Sequence, residues 1–148
     1  MTKHAHRIGA IFYMLWGILH IIIGIVLFYQ LSTVGSHGAM ATTGSAVPAD
    51  QIPQVSSAVL DGMLRQYAWN VLWPGLFAVG IAFLNWKNSL FGYWYNLIVI
   101  TLVDSGFVCA ILLPGLITLR DGLPGPIFWV LAVIFSTVGI LKNPRSTP

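Results

Sequence analysis

Charge is what this chain has least of: only 7% of its 148 residues are Asp, Glu, Lys or Arg, against about a quarter in soluble domains. So few charges cannot cover a water-facing surface. The seven Lys and Arg residues give a formal charge of +3 but are scattered from Lys3 to Arg145, leaving no basic patch, so a nucleic-acid partner is excluded. There is a single cysteine, Cys109, which rules out an internal disulfide and leaves the redox compartment unread. Metal-site spacing is also missing. His4 and His6 lie in the N-terminal arm, His37 in a polar stretch and His20 in an apolar run, with no helical pair of histidines four apart. Phosphate loops, nucleophile elbows and Cys-x-x-Cys motifs are absent too.

What is present is hydrocarbon. Hydrophobic residues make up 57% of the chain, and the mean hydropathy is +0.82. They are gathered into long runs separated by short polar clusters, the pattern of several membrane spans. The first, 8–31, carries no Asp, Glu, Lys or Arg and as a helix measures about 36 Å, enough to cross a bilayer with some tilt. A secretory signal is the rival reading, with Lys3 and Arg7 ahead and Ala39-Met40-Ala41 as a cleavage pattern. The run is too long for it, since signal cores are about 7–15 residues. Further spans are expected at 57–86, 91–119 and 123–141. The first part of the second, from Ser57, has Val59, Leu60, Met63 and Leu64 at helical spacing and reads either as an interfacial amphipathic helix or as an ordinary extension.

The stretch 32–56 is rich in Gly, Ala, Ser, Thr and Pro and reads as a long flexible external loop. The other connections are tight: Lys87-Asn88-Ser89, and a turn around Arg120-Asp121-Gly122 with Pro124 and Pro126 after it. Neighbouring helices then run antiparallel. Lys3, Arg7, Lys87, Lys142 and Arg145 fall on one side, whereas only Arg65 and Arg120 fall on the other, which predicts both termini in the cytoplasm. The expected fold is an all-α, integral membrane four-helix bundle forming one transmembrane domain, 1–148.

Chemistry is expected where polar groups sit in hydrocarbon. His20 and Asp104 lie near the middle of the first and third spans, which should run parallel and bring them to similar depth. An ionised carboxylate there costs about 2.5–3.5 kcal/mol on insertion scales and must face protein, water or a ligand. An Asp beside an imidazole fixes its tautomer, giving a pair able to exchange protons, so His20 and Asp104 are the candidate catalytic residues. Tyr13 and Trp16 share the His20 face, with Gly17 and Gly24 allowing close approach of a helix or a flat ligand. Thr101 and Ser105 flank Asp104, and Pro74 frees the carbonyl of Asn70 and should kink the second span. Tyr13, Trp16, Asn70, Thr101 and Ser105 are the candidate ligand-binding residues. Interhelical packing is the plain alternative for the first-span face, and bonding to backbone carbonyls for the two hydroxyls.

These motifs, Gly17 to Gly24 around His20 and Ser105-Gly106-Phe107, resemble those of small four-helix bacterial membrane proteins with a Gly-x-x-His-x-x-x-Gly first helix. The resemblance implies the architecture and a bacterial inner membrane. No reaction comes with it. Two functions are then expected to compete. One is binding or chemical alteration of a lipophilic small molecule, a quinone, isoprenoid or lipid, at His20 and Asp104. The other is a non-catalytic accessory role in a larger membrane complex, with a membrane-protein partner or a second copy of the chain. Ion transport ranks last, because two buried ionisable groups make a thin path. No cofactor is assigned; His20, alone or from two copies, is the one candidate for holding a haem.

Overall fold

The structure is a computed structural model, and it describes residues 4–55 and 57–142. Lys3 and Arg145, two of the charges in the orientation count, lie outside the described residues. Helices follow as α1 (Ala5–Thr33), α2 (Ser36–Thr43), α3 (Ala58–Trp86), α4 (Leu90–Phe107), α5 (Leu119–Gly122) and α6 (Pro124–Lys142). Among the described residues there is no strand. Four helices are long and apolar enough to cross a membrane: α1, α3, α4 with the turn that continues it to Leu112, and α5 with α6.

The helix limits have local causes. The side chain of Ser57 caps α3 by accepting from the Leu60 N–H at 3.1 Å, and Ser89 caps α4 by accepting from Gly92 N–H at 3.4 Å. Each satisfies a donor left open in the first helical turn. No break separates the segment from Ser57 from the span behind it. α3 is one helix that runs on through the buried Pro74.

The third span ends earlier than 119. Leu113 N–H bonds to the Val108 carbonyl, five residues back, at 2.8 Å, forming one wide turn over Val108–Leu112. Pro114 is the reason the helix stops there, because it has no N–H to offer the Ala110 carbonyl. Gly115, at a φ of +73°, then reverses the chain.

The stretch 32–56 also differs from a flexible loop. Gly35, at a φ of +82°, turns the chain out of α1, and Ser36–Thr43 forms α2. Packing holds this helix: Ser36 Oγ donates to the Val55 carbonyl at 2.8 Å, and buried Ala39 joins Leu27, Leu31 and Ala68 in an apolar cluster. Composition alone misses such tertiary support.

α1 packs along α3 and α6, and α4 also lies between α3 and α6, so α1 and α4 stand diagonally across the bundle. Glycines set two of these seams. A Cβ on Gly17 would meet the Gly75 carbonyl oxygen at 2.7 Å, and one on Gly75 would meet that of Gly17 at the same distance, so α1 and α3 touch backbone to backbone. On the other flank, a Cβ on Gly139 would come within 2.7 Å of the His6 backbone. The Arg7 guanidinium lies 5.4 Å over the Trp86 ring. His6, Lys142 and the α3–α4 turn thus share one end, called the near end. Two buried clusters stack along the axis. The nearer unites α1, α3, α4 and α6 around Tyr13, Trp16, Ala78, Ile100 and Ala132, whereas the farther unites α1, α2 and α3 alone.

Candidate functional site

Trp16 and His20 stand four apart on α1, and their rings stack with centroids 3.7 Å apart. His20 Nδ1 lies 2.9 Å from the Trp16 carbonyl oxygen. A carbonyl can only accept, so Nδ1 carries a proton and Nε2 faces the bundle interior. From the opposite corner, Asp104 of α4 brings its Oδ1 to 4.0 Å from His20 Nε2. Its other oxygen, Oδ2, accepts the indole N–H of Trp16 at 2.9 Å. Asp104 is 1% exposed and His20 9%, yet Asp104 Oδ1 has no hydrogen-bond partner. A buried carboxylate oxygen in that state stands ready for a donor.

The other two helices make room. At Gly75 of α3 a Cβ would lie 3.0 Å from His20 Cβ, and at Gly125 of α6 a Cβ would stand 3.6 Å from His20 Cε1 and 3.9 Å from Asp104 Oδ1. Glycine at these points lets both helices approach the pair without covering it.

The pair forms the floor of a cavity of about 560 Å³, a volume suited to a small organic ligand. Its walls are mostly apolar, with Ile23 and Leu27 from α1, Val71 from α3, and Val103, Phe107 and Ile111 from α4 and its wide turn. Thr42, Thr43 and Asp121 mark the far end. A second cavity of about 300 Å³ shares Thr43, Tyr67 and Ile111 with it and continues beneath α2. The larger cavity lies where α4 has left the farther cluster.

The sequence-predicted residues separate in space. His20, Asp104 and Asn70 line the cavity. Trp16 lies beneath it, fully buried, as the donor to Asp104. Tyr13 is buried a turn deeper, among Trp16, Ala78 and Ile100, away from the cavity. Thr101 turns toward α6, where its hydroxyl accepts the Trp129 indole N–H at 3.0 Å. Ser105 is exposed and donates to its own helix, at the Leu102 carbonyl. Asn70 bonds Gln66 through its side-chain oxygen at 3.2 Å. Among the described residues no group of three or more His, Cys, Asp or Glu side chains could hold a metal ion.

Sequence reasoning missed Gly125 and the far-end closure. Ser45 Oγ donates to Asp121 Oδ2 at 2.9 Å, and Thr118 Oγ1 donates to the same oxygen at 2.7 Å. Ala46 N–H bonds to the Leu116 carbonyl at 3.1 Å. The α1–α3 and α4–α6 connections are thereby tied together over the cavity. Asp121, a lone carboxylate between Arg120 and Gly122, was the available signal.

No family model, curated protein or solved structure matches the chain.

Proposed function

We propose that this membrane protein binds, or alters by acid-base chemistry, a lipophilic small molecule whose polar head lies between His20 and Asp104. The observation that carries this reading is the partnerless Asp104 Oδ1 at the floor of a mostly apolar cavity. A ligand hydroxyl set between Oδ1 and His20 Nε2 would satisfy that oxygen and lie within reach of a proton acceptor. Trp16 serves as the positioning residue, holding the carboxylate through its indole N–H and the imidazole through its carbonyl.

The test is to purify the full chain in mild detergent, extract it with organic solvent and identify the lipids by mass spectrometry. A lipophilic molecule retained by the natural protein is expected to be lost from His20→Leu and Asp104→Leu while both variants stay monodisperse. Retention of the same molecule by both variants ends the proposal.

The proposed setting is a bacterial inner membrane with both chain ends in the cytoplasm, supported by Arg7, Lys87 and Lys142 at one end against Arg65 and Arg120 toward the other. A fluorescent protein fused to the C-terminus should then be bright, and an alkaline phosphatase fused there inactive. A second reading, an accessory subunit, draws on Gly80, which is exposed on α3 with open space beside it and would let a partner helix approach closely. A stoichiometric partner in the mild-detergent preparation would favour it.

A further inference from the structure

The cavity has two ends and four sides, and they are not equally closed. At the far end, the Ser45–Asp121 and Ala46–Leu116 bonds join the two connections across the top. Along the sides, α1 meets α3 at Gly17 and Gly75, and farther on a Cβ on Gly24 would lie 2.7 Å from Leu72 Cβ. α1 meets α6 beside the site, where a Cβ on Gly125 would stand 3.6 Å from His20 Cε1. α4 is tied to α6 through Trp129 and Thr101 and, nearer the turn, through Tyr93 and Thr137 at 3.1 Å. The fourth side, between α3 and α4, is tight at the turn, where a Cβ on Gly92 would lie 2.5 Å from Asn85 Oδ1. Farther along, the two helices part. Asn70 of α3, Gly106 of α4 and Ala110 of the wide turn all line the cavity and are all exposed.

The depth of that gap decides what meets it. Asn70 lies 15 residues before Asn85 and Gly106 lies 14 after Gly92, so the two stand level, about 22 Å from the turn along the helices. A hydrocarbon layer is about 30 Å thick. With the turn set at one face of that layer, the gap opens onto lipid.

The lining also restricts the head group. It contains two carboxylates, Asp104 and Asp121, and no Lys or Arg among the described residues. A phosphate or carboxylate head would be set beside Asp104 with no Lys or Arg to balance it, which is unfavourable in an enclosed site. Asp104 Oδ1 lacks a donor, and a hydroxyl carried by the ligand would supply one.

We infer that the cavity takes a neutral lipid bearing a hydroxyl group, admitted sideways from the bilayer between α3 and α4, with the hydroxyl on Asp104 and the tail left in the gap at Gly106. This rests on the ligand reading of the His20–Asp104 site and adds the head-group class and the route. The Gly106 position has nothing within 4 Å of an added Cβ, so a bulky side chain there can fill the gap without straining the fold.

The experiment uses the full chain in lipid nanodiscs and three probes with the same C20 prenyl tail: the alcohol, the carboxylic acid and the monophosphate. Binding is read by native mass spectrometry. The alcohol is expected to bind at least about tenfold more tightly than either anion. Gly106→Trp should weaken alcohol binding by a similar factor, whereas Ser45→Ala, which loosens the far-end closure, should leave its affinity within about twofold. Anions binding as well as the alcohol, or Gly106→Trp without effect, overturns the inference. If an anion wins and His20→Leu and Asp104→Leu both abolish its binding, the ligand site stands and the inference alone falls. If no probe responds to either of those two substitutions, both fall.

Discussion

Trp16 and Asp104 meet across the diagonal of the bundle: an indole N–H from α1 reaches a carboxylate oxygen on α4 over 2.9 Å. The two helices that carry them otherwise pack on α3 and α6 rather than on each other. The bond is thus a direct polar tie between opposite corners.

Its removal should cost stability asymmetrically. Trp16→Phe leaves Asp104 buried with neither oxygen bonded and should cost about 1.5–3 kcal/mol, the usual scale for a hydrogen bond to a charged group. Taking away both partners removes the orphan as well as the bond. The double variant Trp16→Phe, Asp104→Leu should therefore be less destabilised than the sum of its singles, by about 0.5–3 kcal/mol. Reversible unfolding in mixed micelles measures the cycle. Additive single effects would mean that the bond contributes nothing.

The glycines make a contrasting pair of predictions on one helix. Gly75→Ala places a Cβ against the Gly17 carbonyl oxygen and must push α1 and α3 apart, costing about 1–3 kcal/mol as overpacking. Gly80→Ala meets nothing within 4 Å and should be neutral or stabilising by up to about 1 kcal/mol, since alanine is the better helix former. The same unfolding assay reads both. Equal effects at the two positions would dismiss the close crossing as the cause.

How much of this was legible depends on which physical signal each residue carried. His20 and Asp104 declared themselves because ionisable groups are costly in hydrocarbon, and the 1.5 Å rise per residue then predicted comparable depth. Trp16 was visible only as part of an aromatic face, because its partner lies 88 residues away and spacing says nothing about such a bond. Proximity in sequence groups Thr101 and Ser105 with Asp104, but Ser105, the next residue, stands about 100° away around the helix, and Thr101, a neighbour of Asp104 on the helix surface, is taken up by the Trp129 indole N–H of α6. The segment Ser36–Thr43 looked like a loop because its small and polar residues favour no structure by themselves. Its helix is held by what it packs against.

Thr101 therefore offers a check on its role as a helix-to-helix tie. Thr101→Val strands the Trp129 N–H in a partly buried seam, and hydrogen bonds between membrane helices average about 0.6 kcal/mol, with a ceiling near 1.7. A loss in that range is expected, with any co-purifying lipid retained at its natural amount. Ser105→Ala should change neither quantity, since its hydroxyl serves its own helix. Loss of the lipid from Thr101→Val at full stability would instead put Thr101 at the ligand.

The far-end closure makes the last prediction, on dynamics. One carboxylate oxygen of Asp121 accepts from both Ser45 and Thr118, and Thr118 N–H bonds Ser45 Oγ in turn at 3.3 Å. Asp121→Ala removes the shared acceptor and leaves the Ala46–Leu116 backbone bond and the Thr118 N–H bond to Ser45 Oγ as the links described between the connections. These groups are exposed, so the global fold gains little from them, whereas local opening is controlled by few bonds and should become more frequent. Hydrogen exchange by mass spectrometry should show faster uptake in the peptide covering 42–48 and unchanged uptake in the one covering 8–31. Uptake that rises equally in both would mean that Asp121 supports the whole bundle, and uptake unchanged in 42–48 would mean that the closure is held by packing of α2 alone.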